Sequence, residues 1–396
     1  MTCSVPLLLK CPCCGSDHVR VFYEAPSVPV NSVLLVSSRE EALRFPTGDI
    51  SLGFCNACGF IYNTSFDRRL VEYSSRCEET QGFSAYFREW HENLARRLIH
   101  RYGLRAKKIV EIGCGKGEFL TLLCDLGHNR GIGFDPAYIP ERVSSESASH
   151  VEFIADLYNE DHTGIRADFL CCKMTLEHIN NTGEFVRMVR RSLKDSSDTC
   201  VFFQVPDVLR VLEEEAFWDV YYEHCSYFSI GSLARLFRRC GFNVLNVGRE
   251  YGDQYVTVEA RSSNGAVSVL PAEDDLDQLR SLVQRFTPQV SRRIEQWRER
   301  LEDFRNKGLK TVLWGAGSKG VAFLATLRVQ DAVQYVVDIN PYMTGHYMAK
   351  TGAKIIAPTD LREYRPDVVI IMNRIYRREI VGELSNLGLR PEVTSI

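Results

Sequence analysis

Cysteine pairs, a glycine-rich turn and two histidines are where this sequence could do chemistry. Cys11-Pro-Cys13-Cys14-Gly15 and Cys55-Asn-Ala-Cys58-Gly59 each hold a C-x2-C pair followed by glycine. The two-residue gap turns both thiolates inward, and glycine lets the chain curl around a sulfur-bound metal. Cys11, Cys14, Cys55 and Cys58 therefore predict a closed tetrahedral zinc site. Such a site is structural, since catalytic zinc keeps an open position. The 40 residues between Cys14 and Cys55 contain the strand-like runs Val19–Tyr23 and Val33–Val36, as a zinc ribbon would. No basic patch surrounds the module, which argues against nucleic-acid binding.

The second stretch is Val110-Glu111-Ile112-Gly113-Cys114-Gly115-Lys116-Gly117-Glu118. Gly113, Gly115 and Gly117 alternate between strand-like and helix-like text, so a ligand can lie against bare backbone. A pyrophosphate-binding G-x-G-x-x-G sets its third glycine one residue later. Here the spacing is tighter and Glu111 stands two residues ahead, a pattern that disfavours phosphate and suits a zwitterionic amino acid. Asp135 ends the next strand, where a carboxylate can accept two ribose hydroxyls. Asp156, past the following strand, is placed to meet an adenine amino group. Farther on, Gly315-Ala-Gly317-Ser-Lys319-Gly320 does fit G-x-G-x-x-G, with Asp338 ending the next strand. Taken alone it predicts NAD.

These residues need a frame. Alternation predicts strands at Lys108–Ile112, Arg130–Phe134, Val151–Ile154, Ala167–Cys172, Thr199–Phe203, Phe242–Val247 and Tyr255–Ala260. Helices lie between them, one of them Glu118–Leu126 and another capped by Ser229 and running to Cys240. That is an α/β, doubly wound sheet. Phe83, Phe87, Trp90, Leu94 and Leu98 predict helix from about Leu70 to Tyr102. Ser262–Gly265 reads as a linker, and Glu273–Asn306 as a long helix that Pro288 should kink or split. Lys310–Trp314, Tyr335–Asp338 and Asp367–Ile371 begin a second, smaller Rossmann-like unit. The expected domains are a zinc module (1–68), a helical connector or lid (69–105), the core (106–262), linker and long helix (263–308), and the C-terminal domain (309–396).

Composition fits this reading. The chain has 396 residues, 45% hydrophobic and 25% charged, with 48 Lys+Arg against 51 Asp+Glu. Disorder, collagen repeats and disulfide miniproteins are excluded, and the near-neutral balance argues against a nucleic-acid or membrane-surface binder. No apolar run approaches the ~18–20 residues of a membrane span. Val5–Leu9 is too short for a secretory leader, so the 14 cysteines read as thiols or metal ligands of a cytoplasmic protein.

The Gly113–Gly117 loop resembles motif I of class I S-adenosylmethionine (SAM) methyltransferases, which have a seven-stranded Rossmann-like sheet, with Asp135 as the ribose acid. Over nearly the whole chain, the order of cysteine module, SAM fold and Rossmann-like end resembles the sugar C-methyltransferases, which act on nucleotide-linked 4-keto-deoxysugars. The matching segments are Tyr221-Tyr-Glu-His-Cys-Ser-Tyr-Phe-Ser229, Trp314–Gly320 and Val336–Pro341. Tyr222 stands where the family has histidine, Glu177 where it has a small or apolar residue, and Met372, beside Asn373, where it has tryptophan. His178 matches a family active-site histidine.

The resemblance implies SAM as cofactor, structural zinc, and a nucleotide-linked keto-sugar or related carbonyl acceptor. Methylating carbon needs an enolate, hence a base near neutral pKa and a group to hold the oxyanion. His224 would be the base, His178 or Tyr221 would steady the enolate, and Glu223 is adjacent. Gln81 and Ser84 would close over SAM. Tyr222, Tyr227, Gly315, Gly317, Lys319, Asp338 and Asn373 would serve the acceptor, with Lys319 meeting a diphosphate at the helix start. Cys225 reads as filler. Competing classes are an O- or N-methyltransferase on the same scaffold and a non-catalytic SAM- or NAD-binding protein. The protein would be a monomer or homodimer with a small-molecule partner.

Overall fold

The computed structural model describes residues 9–143, 149–193, 198–263, 268–329 and 331–396. The N-terminal strands are β1 (Val19–Pro29), β2 (Thr47–Cys55) and β3 (Ile61–Asn63). The central strands are β4 (Lys108–Ile112), β5 (Arg130–Phe134), β6 (Val151–Ile154), β7 (Phe169–Lys173), β8 (Cys200–Pro206), β9 (Ser226–Tyr227), β10 (Phe242–Glu250) and β11 (Tyr255–Ser262). Seven of them form one sheet in the order β10-β11-β8-β7-β4-β5-β6. β4 to β8 run parallel, while β11 and β10 return antiparallel. The central strands read as near-continuous apolar runs because helices cover both faces; Phe169 to Cys172, for instance, are all buried.

β12 (Thr311–Trp314), β13 (Tyr335–Val337), β14 (Lys354–Ile356), β15 (Val368–Ile371) and β16 (Glu392–Ser395) form a five-stranded, all-parallel sheet in the order β14-β13-β12-β15-β16. The N-terminal strands form an antiparallel sheet whose fourth member is β9, donated by the central chain. Ile61 pairs with Tyr227 and Tyr62 with Ser226. The cysteine module is thus woven into the segment that carries His224.

Helix Ala85–Tyr102 begins at Ser84, whose side chain accepts from the Phe87 N–H, and ends at Gly103 in the left-handed conformation. Its buried face is Phe87, His91, Leu94, Ala95, Leu98 and Ile99. The helix expected from Leu70 therefore starts fifteen residues later, apart from one turn at Arg68–Leu70. Residues 71–84 are irregular: short local turns, such as the Cys77 N–H bonded to the Ser74 carbonyl, alternate with side-chain bonds to both flanking domains, as described below. Helix Leu276–Asn306 runs unbroken through Pro288. Phe286 and Val290, on either side of the proline, are both buried, so tertiary packing holds the helix where propensity alone would end it. Val33–Val36 makes only an isolated bridge from Leu34 to Cys77. The expected linker begins on Ser262, the last residue of β11; Asn264 and Gly265 lie outside the described residues. Among the described residues no helix is long and apolar enough to cross a membrane.

Candidate active site

Gly113 and Gly115, just past β4, have φ of 71° and 53°, a region L-residues adopt rarely. A Cβ on Gly113 would fall 1.8 Å from Thr175 Oγ1, and one on Gly115 2.8 Å from Glu79 Oε1. Gly117 continues the turn, facing Phe153. Asp135 accepts from the N–H of Gly115 at 2.8 Å and of Ala137 at 2.7 Å, tying the strand end to the loop. Glu111 lies beneath, 2% exposed, with Oε2 unpartnered. Burial raises its carboxyl to about 7 against the pull of Lys173. An orphaned buried acid under a bare-backbone turn fits a ligand bearing an ammonium group and a ribose, as SAM does.

Asp156 lies exposed past β6, accepting from the Leu157 N–H. Gln81 and Ser84 turn elsewhere. Gln81 bridges the hydroxyls of Tyr255 at 3.2 Å and Tyr376 at 2.8 Å, and Ser84 donates to Glu379 at 2.7 Å. They join the core to the C-terminal domain. The residues of this strap that reach the loop are its neighbours: Lys116 donates to the Cys77 carbonyl at 2.7 Å, and Glu79 lies 3.6 Å from the same ammonium. Glu78, meanwhile, pairs with Arg142 at 2.7 Å and accepts from Asn340 of the C-terminal domain at 2.9 Å.

His178 ends the short turn after β7, and His224 precedes β9. Their rings meet edge to face with centroids 4.7 Å apart. His178 Nδ1 lies 3.0 Å from both the Glu223 carbonyl and the Tyr73 hydroxyl. A carbonyl only accepts, so Nδ1 carries the proton and Nε2 keeps the lone pair. Burial pushes His178 down to about 4. It pushes His224 well below its ordinary value too, and His178 adds to this. Both imidazoles are therefore neutral at pH 7, each with a lone pair on one ring nitrogen.

The loop bearing His224 is held from two sides. On the N-terminal side, Glu223 Oε1 accepts from the Ser32 N–H at 2.9 Å and from its hydroxyl. The Tyr222 ring lies against Gly48, where a Cβ would come within 2.3 Å, and its hydroxyl accepts from the Asp67 N–H. On the C-terminal side, the Tyr221 hydroxyl donates to Asp219 at 2.7 Å, and Asp219 is paired with Arg210 and with Lys319. The two cations hold the Asp219 carboxyl well below its usual range despite its burial.

Lys319 thus serves a carboxylate of the core rather than facing an open helix end, because Asp219 meets it there. Tyr227 closes onto the Tyr221 backbone, accepting at 3.2 Å and donating at 3.1 Å; Tyr222 and Tyr227 are both buried, with their hydroxyls engaged by backbone groups. Asn373 exchanges hydrogen bonds with Gln254 at 3.0 and 3.3 Å. Asp338 accepts from Ala316 and Asn340 N–H groups beside Gly315 and Gly317. Sequence reasoning missed Asp219, although a lone acid inside Phe217-Trp-Asp-Val-Tyr221 was a signal. It also missed Ser32 and Glu79, which carried none.

At the module, Cys11 and Cys58 sulfurs are 3.7 Å apart, Cys14 and Cys55 3.6 Å, and all four lie within 4.8 Å of one another. Tetrahedral zinc with ~2.3 Å bonds sets sulfurs about 3.8 Å apart. The cluster fits zinc.

The seven-stranded sheet with its glycine turn, orphaned acid and strand-end aspartate defines a class I SAM-dependent methyltransferase. Residues 86–247 match the methyltransferase domain family and residues 255–389 the C-methyltransferase C-terminal domain family. The chain is 25% identical over 299 residues to the C-methyltransferase NovU of Streptomyces niveus, covering 72% of this chain and 70% of that one. Both domain models match in this order, so the chain is a SAM-dependent methyltransferase that is similar to C-methyltransferases over most of its length.

Among solved structures, it resembles the 1,6-didemethyltoxoflavin-N1-methyltransferase of Burkholderia thailandensis (TM-score 0.36, 17% identity, 46% of this chain, 83% of that one). It also resembles the magnesium protoporphyrin IX methyltransferase of Synechocystis PCC 6803 (TM-score 0.34, 16% identity, 45% and 84%).

Proposed function

We propose that this enzyme methylates the carbon beside a carbonyl in a nucleotide-linked keto-sugar or a related small acceptor. One observation supports the reading: two neutral histidines, on separate loops that follow strands of the sheet, meet edge to face with ring centroids 4.7 Å apart. Open α/β sheets bind their ligands at the carboxyl ends of their strands. His224 removes the proton next to the carbonyl; for the enolate oxygen to be held, Tyr221 has to turn its hydroxyl from Asp219, or His178 has to take up a proton at Nε2. Glu223 fixes the loop through Ser32, and its carbonyl fixes the His178 tautomer. Glu111 and the glycine turn hold SAM, with Asp135 at its ribose and Asp156 at its adenine. SAM supplies an electrophilic methyl group to which the nucleophilic carbon bonds. The C-terminal domain braces the His224 loop through the Lys319–Asp219 pair and meets the strap at 71–84 through Asn340, Tyr376 and Glu379.

The test pairs product mass with solvent deuterium exchange on a panel of nucleotide-linked 4-keto-6-deoxysugars. A product one methyl heavier, with exchange at the adjacent carbon in the absence of SAM, is expected. His224→Ala should abolish both while SAM still binds. Near-normal turnover in that variant would remove His224 as the base.

A further inference from the structure

Glu177 is the buried group this reading leaves unused. It is 1% exposed, and both carboxylate oxygens lack a hydrogen-bond partner. An unsatisfied buried carboxylate is expensive and calls for a physical reason. One of its oxygens, a ring nitrogen of His178 and a ring nitrogen of His224 all lie within 4.8 Å of one another. They converge without hydrogen bonding to each other, which is how ligand atoms stand around an ion. Donors at ~2.0–2.2 Å from one metal are at most about 4.4 Å apart, so small side-chain adjustments close the gap.

The outer contacts suit the same role. A metal-ligating imidazole usually donates its other N–H to a carbonyl or carboxylate. His178 Nδ1 bonds to the Glu223 carbonyl, leaving Nε2 for the ion. Tyr221 packs edge to face on His224 at 4.7 Å, restricting that ring. Two imidazoles and one carboxylate favour first-row transition ions over magnesium or calcium.

We propose that Glu177, His178 and His224 form a binding site for one divalent transition-metal ion, and that the ion, by occupying His224, silences the base. The silencing half rests on His224 being the base; the binding half does not. Coordination uses the lone pair that would otherwise take the proton, so metal binding and proton abstraction exclude each other.

The experiment is a Co2+ titration of the full chain with its cysteine site already loaded with zinc, read by visible absorption and in parallel by turnover. One saturable equivalent should appear with d–d bands and no thiolate charge-transfer band. Glu177→Gln, which keeps shape and hydrogen-bonding capacity, should weaken Co2+ at least ~tenfold; Glu177→Leu serves if the amide misfolds. Absence of a saturable equivalent, equal affinity in the variant, or thiolate bands alone would overturn the site. Saturating Co2+ should suppress turnover in the wild type and spare Glu177→Gln at the same concentration. If Co2+ binds with Glu177-dependent affinity while turnover persists, the site stands and the assignment of His224 as base falls.

Discussion

The protein contains two strand–glycine–helix units wired almost identically and put to different use. In the first, the Gly113 N–H bonds to the Phe134 carbonyl and Asp135 accepts from Gly115 and Ala137. In the second, the Gly315 N–H bonds to the Val337 carbonyl and Asp338 accepts from Ala316 and Asn340. The differences lie in what surrounds the wiring. The first turn holds three left-handed glycines over a buried acid; in the second, Gly315 alone of the three is left-handed, and buried Leu313 stands where Glu111 would be. A Cβ on Gly320 would come 2.3 Å from the Gly315 carbonyl, so this glycine serves close helix–strand packing. In the C-terminal unit, then, the third glycine of G-x-G-x-x-G serves packing, while the first turn alone sets three left-handed glycines over a buried acid.

The sharpest way to break this comparison is Gly113→Ala. A left-handed φ and a Cβ 1.8 Å from Thr175 should cost SAM affinity ~1000-fold or more, about 4 kcal/mol. Calorimetry reads it, with circular dichroism to confirm the fold. Normal affinity would mean that the turn does not cradle the cofactor.

The acid beneath the first turn gives a second, somewhat smaller contrast. Glu111 is raised from 4.5 to about 7 by burial, so the folded state holds its proton more tightly than the unfolded chain does. Its contribution is complete below pH 4.5 and is lost as pH rises through 7, a difference worth roughly 3 kcal/mol at most. Without SAM, the wild-type melting temperature should fall from pH 5.5 to 8 more steeply than that of Glu111→Gln. Parallel slopes would mean that Glu111 is ionised throughout.

At the second turn, Lys319→Met tests whether the C-terminal unit acts through the core. Removing one of the two cations on Asp219 loosens Tyr221 against His224. The expected loss is ~10-fold in kcat, about 1.4 kcal/mol, with SAM affinity unchanged. A rise in KM for the acceptor at constant kcat would instead assign Lys319 to acceptor binding.

Local pattern makes both glycine units legible, because a strand, a tight turn and a helix leave their marks within some twenty residues. The cysteine spacing works for the same reason. The irregular strap at 71–84 reads as helix in the sequence: periodicity in Phe83, Phe87 and Trp90 blends into the true helix, and nothing local reports contacts made at Asn340 or Tyr376. His178 and His224 came from resemblance, whereas the roles of Ser32, Asp219 and Glu79 exist only once the three sheets assemble. Lys319 shows the limit most clearly. Its helix-start position suggests a phosphate, but its partner is an aspartate 100 residues upstream.

The smallest expected effect belongs to Gly317→Ala, the counterpart of Gly113→Ala in the second unit. Gly317 has φ of −71°, and no atom lies within 4 Å of the place its Cβ would take, so alanine fits without strain. Stability should change by less than about 0.5 kcal/mol, and SAM affinity and kcat should not move. The acceptor's KM is the informative quantity. If the turn only packs the C-terminal unit against the core, KM stays constant. If a nucleotide diphosphate lies on its backbone, the added methyl group crowds the ligand and KM rises several-fold. That rise would restore a ligand to the second glycine turn and narrow the difference between the two units to the ligand each one holds.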